Sequence, residues 1–301
     1  MRPPPRSLPA ALAATRHRVA SWWRPYTFVT GRGPGYASGF GNKLFVLATA
    51  AGYALTHGYE LVVEDTPGWG SSVTGADHEA GKQFKAAHLP DSMRQLFPSL
   101  RFEPGWFVHS RLASEISDQG VNYDRGECPA LRRQRNAAFT GYFLTTASFH
   151  HQRSEILQRL RFAPAVDDYV DATYGDWLRL NPIGVHVRRG DRATNNLEPL
   201  LSYYTRALAC FPPAAAVTVI SDDPVFCREV LFADLLQNRR VLYVTNERHY
   251  VDLVVFSRCA GHVLANSTFS FWGAYRSSNF ADKQIVCPKD CWLSFPNWQK
   301  I

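Results

Sequence analysis

Short apolar runs alternate with amphipathic stretches along the second half of the chain. The runs fall at residues 183–187, 216–220, 241–244, 262–265 and 284–287. Each is four or five residues long, rich in Val, Ile or Leu, and fits a strand buried on both faces. Helical patterns lie between them, around 198–211, from Pro224, around 250–259 and from near Phe269. Such alternation predicts a parallel sheet with helices on both sides. The N-terminal part opens similarly, with a strand at 26–30, a glycine-rich loop at 31–42 and an Ala/Leu-rich helix from about Lys43 to His57. Gly58 stops that helix, and a strand follows at 59–63. Residues 66–82 read as a Gly/Ser/Thr-rich loop, and 83–136 carry too little periodicity to order. The expected fold is α/β, with two Rossmann-like parallel-sheet halves facing a cleft. We place them at 24–165 and 166–301, behind an N-terminal arm of residues 1–23.

Composition supports a packed core, with 46% hydrophobic and 20% charged residues over 301 positions. The net charge of +7 is local. No acidic residue precedes Glu60, whereas Arg2, Arg6, Arg16, Arg18, Arg24, Arg32 and Lys43 do; the remainder is balanced. A nucleic-acid binder would spread basic residues over one face, so nucleic acid is not an expected partner. In the arm, Leu8, Leu12, Thr15, Val19, Trp22 and Trp23 fall at helical spacing, with Arg16 and Arg18 largely off that face. A basic helix of this kind fits peripheral contact with an anionic membrane. A helix packed on the body, a stem and a transit peptide are the competing readings. No apolar run approaches the ~20 residues that span a bilayer. The expected location is cytoplasmic or peripheral to a membrane, with the Golgi lumen left open.

The six cysteines include no CxxC pair and no zinc-like spacing. Most lie in apolar segments, as buried thiols do; Cys287 and Cys291 flank a Pro-Lys-Asp turn and suit a disulfide in an oxidising compartment.

Candidate chemistry collects where the second-half strands end. Residues 183–187 run into Arg188-Arg189-Gly190-Asp191. The planar guanidinium suits phosphate oxygens; a structural Arg–Asp pair is the competing reading. The next strand ends in Ser221-Asp222-Asp223-Pro224. Asp223 fits a helix N-cap with proline in the first turn, leaving Asp222 as a spare carboxylate for a ribose or a guanine edge. A third strand ends in Asn266-Ser267-Thr268-Phe269-Ser270, where hydroxyls and the free N–H groups of a starting helix make an anion site or a simple cap. Parallel strands bring all three clusters to one sheet edge. Across the cleft, Asn42 at a helix start could reach a phosphate or sugar hydroxyl; a flexible glycine-rich loop is the competing reading. The adjacent aspartates are not a DxD spacing, and His150-His151 has no metal-binding companions in the sequence.

These residues, in order, resemble the α1,2-fucosyltransferases of glycosyltransferase family eleven. The resemblance runs from about residue 26 to the C-terminus. It is carried by Gly39-Phe-Gly-Asn-Lys-Leu-Phe45, Gly141-Tyr142-Phe143, Val185-His-Val-Arg-Arg-Gly-Asp191, Ser202-Tyr-Tyr-Thr-Arg-Ala-Leu208, Ser221-Asp-Asp-Pro224, Asp252-Leu253 and Ala265-Asn-Ser-Thr-Phe-Ser-Phe-Trp-Gly-Ala-Tyr275. It implies a GT-B architecture, GDP-fucose as donor substrate, a glycan acceptor, inversion at the anomeric carbon, and neither metal nor cofactor. By position, Arg188 matches the arginine on the donor β-phosphate, with His186, Arg189 and Asp191 as its motif neighbours. Ser267, Thr268 and Ser270, with Asn266 and Phe269 between and beside them, match the second phosphate-side cluster. Asp222 matches the nucleoside side, and Asn42 the loop near the donor.

Two departures from the family pattern, Arg192 after Arg-Arg-Gly-Asp and Leu144 after Gly-Tyr-Phe, bear on acceptor choice. The basic N-terminus is not expected to serve as the membrane anchor that animal members carry. Glu64 and Asp65, ending the second strand, are the acceptor-side candidates by position. The expected reaction is fucosyl transfer to the 2-OH of a terminal galactose. The alternatives are an O- or core-type fucosyltransferase and a glycan- or nucleotide-binding module without turnover.

Overall fold

The computed structural model describes residues 25–31, 38–66, 84–86, 88–118, 131, 133–189 and 197–301. The basic arm, the loop at 32–37, most of 66–82, Cys128, Asp191 and Arg192 lie outside the described residues.

The first half begins with β1 (Tyr26–Val29), α1 (Phe40–His57) and β2 (Glu60–Glu64). It continues with α2 (Met93–Leu96), β3 (Arg101–Glu103), α3 (Gly105–His109), β4 (Ser114–Ile116) and β5 (Ala137–Phe139). The helices α4 (Arg153–Arg159) and α5 (Pro164–Leu178) follow. The strands form one parallel sheet in the order β3-β2-β1-β5-β4. Three of them, β3, β4 and β5, lie in or just after the segment that carried no readable order. Each is only three residues long, too short to print a period of two on the sequence.

The second half contains β6 (Ile183–Val187), α6 (Glu198–Ala209), β7 (Val217–Ser221), α7 (Pro224–Phe226), β8 (Val241–Tyr243), α8 (His249–Ser257), β9 (Gly261–Val263), α9 (Thr268–Tyr275), β10 (Ile285–Cys287) and β11 (Gln299–Lys300). All six strands are parallel, in the order β11-β10-β9-β6-β7-β8. The helix expected at Pro224 is a single turn that widens into a π-type turn over Cys227–Leu231.

α1 explains how the halves join. Its sequence, FGNKLFVLATAAGYALTH, has apolar residues around the whole circumference, and 14 of its 18 residues are buried. A helix apolar all round needs cover on every side. One side packs on β1 and β2, the other on α9. Phe45 meets Phe271 (5.1 Å between ring centroids) and Trp272 (5.2 Å), and Phe149 stacks on Trp272. One apolar core therefore runs from Val29 and Phe139 through α1 into Val251, Phe271 and Trp272. The helix ends where Gly58 takes φ 67°, a left-handed conformation that glycine adopts without a Cβ penalty, and Tyr59 N–H closes on Ala54 O (2.8 Å). On the far side α5 packs on α8, where Arg258 bridges Asp167 and Asp171. Among the described residues no helix is long and apolar enough to cross a membrane.

Candidate active site

The chain leaves β6 toward β7 and β8, then returns to the other side of β6 at β9. At such a reversal, loops leaving neighbouring strands diverge to opposite faces and open a crevice beyond the strand ends. The first sheet reverses in the same way between β1 and β5. Exits from all four strands line one cleft of about 420 Å3: Ser38 to Asn42 after β1, Leu144 after β5, Arg188 after β6, and Asn266 to Phe269 after β9. Asp222 at the end of β7, His249 and Asp252 in the first turn of α8, and Trp292 beyond β10 extend its walls.

Two helix N-termini meet in this cleft. α9 starts behind Ser267, whose hydroxyl accepts from Phe269 N–H (3.2 Å). α1 starts behind Gly39, which has no side-chain cap. The two starts touch at Gly41. A Cβ there would lie 2.7 Å from Phe269 N, 2.7 Å from Thr268 Oγ1 and 2.8 Å from the Thr268 carbonyl carbon. Each helix start carries roughly half a positive charge and unsatisfied N–H groups. Their convergence matters because the side chains alone do not make the cleft positive: Arg188 is offset by Asp222, and Asp252 adds a second carboxylate.

Arg188 pairs with Asp222 (3.0 Å), and Asp222 also accepts the backbone N–H of Arg189 (2.9 Å). Asp222 is therefore not a spare carboxylate; it fixes Arg188 at the cleft wall. Arg189 does not line the cleft. Successive residues leaving a strand point to opposite sides, so Arg189 turns away to Asp223 (3.1 Å) and lies 3.7 Å over the Phe226 ring. Asp223 caps α7 as expected, accepting from Phe226 N–H (3.0 Å).

His186 is the penultimate residue of β6 and is buried. Its Nδ1 lies 2.5 Å from Ser270 Oγ, which itself accepts from Ala265 N–H (3.1 Å). Burial pushes its pKa down to about 4, with Arg188 acting in the same direction and Asp222 against it. The ring is neutral at pH 7. Ser270 Oγ, accepting from Ala265 N–H, keeps its own proton to donate to Nδ1, the arrangement that goes with an Nε2–H tautomer. Ser270 thus sits inside the wall, holding His186 rather than facing the cleft. Phe269 packs on the same imidazole at a tilt (5.0 Å between ring centroids), and Tyr204 O–H donates to His186 O (2.7 Å). Asn266 donates to Asp290 O (3.4 Å), while its Oδ1 is buried with no hydrogen bond among the described residues. Asn42 lies in the first turn of α1, its N–H bonded to Gly39 O (3.0 Å).

The acceptor-side candidates are not brought to the cleft. Glu64 is buried, accepting from Gly31 N–H (2.8 Å) and pairing with His109 (3.0 Å); Asp65 pairs with Arg94. Both carboxylates are engaged at the sheet edge. The cysteines lean to the buried-thiol reading. Cys227, Cys259, Cys287 and Cys291 are buried free thiols, and those of Cys287 and Cys291 hydrogen-bond each other.

Sequence reasoning missed His249 and Trp292, and gave Asp252 no role. The available signal was positional: each follows a strand end at the same sheet edge as Arg188.

Residues 133–287, more than half of the chain, match the family model described as glycosyl transferase family 11. The chain is 31% identical over 134 residues to the O-antigen biosynthesis glycosyltransferase WbnK of Escherichia coli, covering 40% of this chain and 42% of that one. It is 28% identical over 104 residues to an alpha-1,2-colitosyltransferase of Escherichia coli, covering 32% and 36%. It is 27% identical over 214 residues to the galactoside 2-alpha-L-fucosyltransferase Sec1 of Mus musculus, covering 64% and 56%. The matched stretches thus span about half or less of these relatives. Among solved structures, the fold is similar to NodZ alpha-1,6-fucosyltransferase co-crystallised with GDP, with TM-score 0.54, 17% identity, and coverage of 83% and 91%. It is also similar to POFUT1 in complex with GDP, with TM-score 0.50, 12% identity, and coverage of 88% and 98%. The architecture is GT-B-like, and the chain belongs to glycosyl transferase family 11.

Proposed function

We propose that this chain transfers fucose from GDP-fucose to a glycan hydroxyl, the 2-OH of a terminal galactose, by a single inverting displacement that needs no metal. The observation that carries the reading is the convergence of Arg188 with the N-termini of α1 and α9 in one cleft. The reaction releases a nucleoside diphosphate, so negative charge grows on the β-phosphate as the sugar bond lengthens. Preorganised N–H groups and a guanidinium aimed at that point stabilise the transition state more than the ground state. Two half-charges and one arginine do there what a divalent cation does in other transferases.

The rest of the wall fits a nucleotide laid across the strand ends. The edge of guanine offers two adjacent N–H donors, and a carboxylate matches them in a paired contact. Asp252, in the first turn of α8 and lining the cleft beside Asp222, is the carboxylate we assign to the base. His186, neutral and held by Ser270, adds an N–H donor without a charge. Support from relatives is consistent: two of those matched are named for 2-fucosyl or 1,2-colitosyl transfer.

The deciding experiment measures GDP release from GDP-fucose, with and without a galactose-terminated oligosaccharide, in excess EDTA. Acceptor-stimulated release and an α-linked product are expected. Absence of stimulation, activity that vanishes in chelator and returns with Mg2+, or a β-linked product would overturn the proposal.

A further inference from the structure

We infer that Trp292, with Leu144 from the opposite half, forms the acceptor-sugar subsite of this cleft and takes a terminal pyranose by its apolar face. This rests on the glycosyl-transfer reading above. Strand order fixes the layout. From one end, the cleft wall carries α8 and the β7 exit (Asp252, Asp222), then the β6 and β9 exits (Arg188, Ser267 to Phe269), then the β10 exit with Trp292. Neighbouring strands are roughly 4.8 Å apart, about the spacing of successive groups along a nucleoside diphosphate sugar. With the base at Asp252 and the diphosphate at Arg188, the donor sugar points toward the β10 end. A displacement with inversion brings the attacking hydroxyl in on the side away from the leaving phosphate. The acceptor therefore enters past Trp292.

The chemistry of this end differs from the rest. Where the β6, β7 and β9 exits present charge, hydroxyls and helix N–H groups beside Ile220 and Phe269, the β10 exit presents an indole, and Leu144 of the first half adds an apolar side chain to the same cleft. A sugar ring has one face of C–H groups, which an indole covers while the ring hydroxyls stay free for water or protein. Both side chains are partly exposed and backed by the central core.

Both are also held in place before any ligand arrives. The loop of Trp292 is tied at Asp290 O to Asn266 Nδ2 (3.4 Å), at Cys291 O to Lys300 Nζ (2.8 Å), and at Cys291 Sγ to Leu293 O (3.2 Å). Leu144 follows Phe143, which has φ 51°. That conformation is imposed by the Asp118 carboxylate, which accepts from the N–H groups of Tyr142 (2.9 Å) and Phe143 (2.7 Å). A platform fixed in this way loses little entropy on binding.

The test uses the full chain with GDP-fucose and lactose-type acceptors. Trp292→Ala should raise the acceptor KM about tenfold, the loss of one aromatic contact, with the Kd for GDP unchanged. Trp292→Phe should recover part of that loss, and circular dichroism and thermal melting establish that both variants fold. In wild type, titrating the acceptor in the presence of GDP should change tryptophan emission, and Trp292→Phe should abolish the change. An unchanged acceptor KM in Trp292→Ala overturns the inference. So does a rise in the GDP-fucose KM with the acceptor KM constant, which would give Trp292 to the donor sugar. If wild type transfers no fucose, the reading of the reaction fails, while the emission titration still decides whether a galactoside binds at Trp292.

Discussion

Gly41→Ala gives the most discriminating perturbation of the convergent helix starts. Inside a helix, replacing glycine with alanine ordinarily stabilises by about 0.5–1 kcal/mol, because the unfolded chain loses freedom. Gly41 lies in the first turn of α1, so propensity alone predicts a gain. The packing predicts the opposite. The added methyl would meet Phe269 N and Thr268 Oγ1 at 2.7 Å and the Thr268 carbonyl carbon at 2.8 Å. Two of these atoms are backbone, so no side-chain rotation relieves the contact. The helix starts must separate by roughly 0.7 Å to reach ordinary van der Waals distance. Overpacking of this kind costs about 1–3 kcal/mol, which outweighs the propensity gain and lowers Tm by roughly 2–8 °C in a chain of this size. The same movement displaces the N–H groups proposed to hold the diphosphate, and misplacement on the scale of 1 Å costs about a hundredfold in rate. The internal comparison is Gly175→Ala in α5, where a Cβ meets only Arg179 Nη1 at 3.8 Å. That variant should melt slightly higher than wild type. Differential scanning calorimetry and kcat/KM for GDP-fucose read both effects. If Gly41→Ala melts as high as Gly175→Ala and turns over normally, the two helix starts are not in contact and the proposed anion site is wrong.

Arg188→Ala should lower kcat by at least one to two orders of magnitude, since a charge-assisted hydrogen bond contributes about 1.5–3 kcal/mol; Arg188→Lys should restore little, because an ammonium cannot keep the Asp222 pair and a phosphate contact in one plane. Near-normal turnover by the lysine variant would remove the arginine from the diphosphate. Acid should destabilise the fold through buried neutral histidines. His186 is lowered to about 4 and His262 to about 3, both chiefly by burial. A base with a depressed native pKa binds more protons when unfolded, so stability is full above about pH 6.5. It then falls toward pH 4 by up to about 1.4 kcal/mol per pH unit for each residue. Urea unfolding at pH 7.5, 6.0 and 5.0 should show this slope before the carboxylates titrate, and His262→Gln should flatten it; equal stabilities at the three pH values contradict the assignment.

How much of this was legible depends on what the side chains had to do. The second sheet could be read because its central strands are buried on both faces, as the all-buried pattern of Ile183–Val187 illustrates. Such strands print as unbroken apolar runs. Arg101–Glu103 sits at a sheet edge with all three residues half-buried, and leaves no pattern. The meeting of Arg188, Asp222 and Asn266 to Phe269 followed from parallel order alone, since every strand of a parallel sheet ends on the same side. What the sequence could not supply was direction within each cluster. Arg188 and Arg189 are chemically alike and adjacent, yet the pleat sends one to the cleft and the other onto Phe226. Asp222 looked spare because its partner is 34 residues away in sequence and on a neighbouring strand. Glu64 looked available because its engagement with Gly31 N–H and His109 is long-range. Ser270 looked like a phosphate ligand because its hydroxyl is typical of one, while its contacts place it one layer deeper, holding His186. In each case the residue type was right for the chemistry, and a tertiary partner decided which member of the cluster faces the cleft. Asp252 and Trp292 reverse the case: neither belongs to the three polar clusters that end β6, β7 and β9, and only the strand order brings them to the wall where Arg188 lies. For this fold, position at the carboxyl edge of a strand is therefore a better guide to the site than the local density of polar residues.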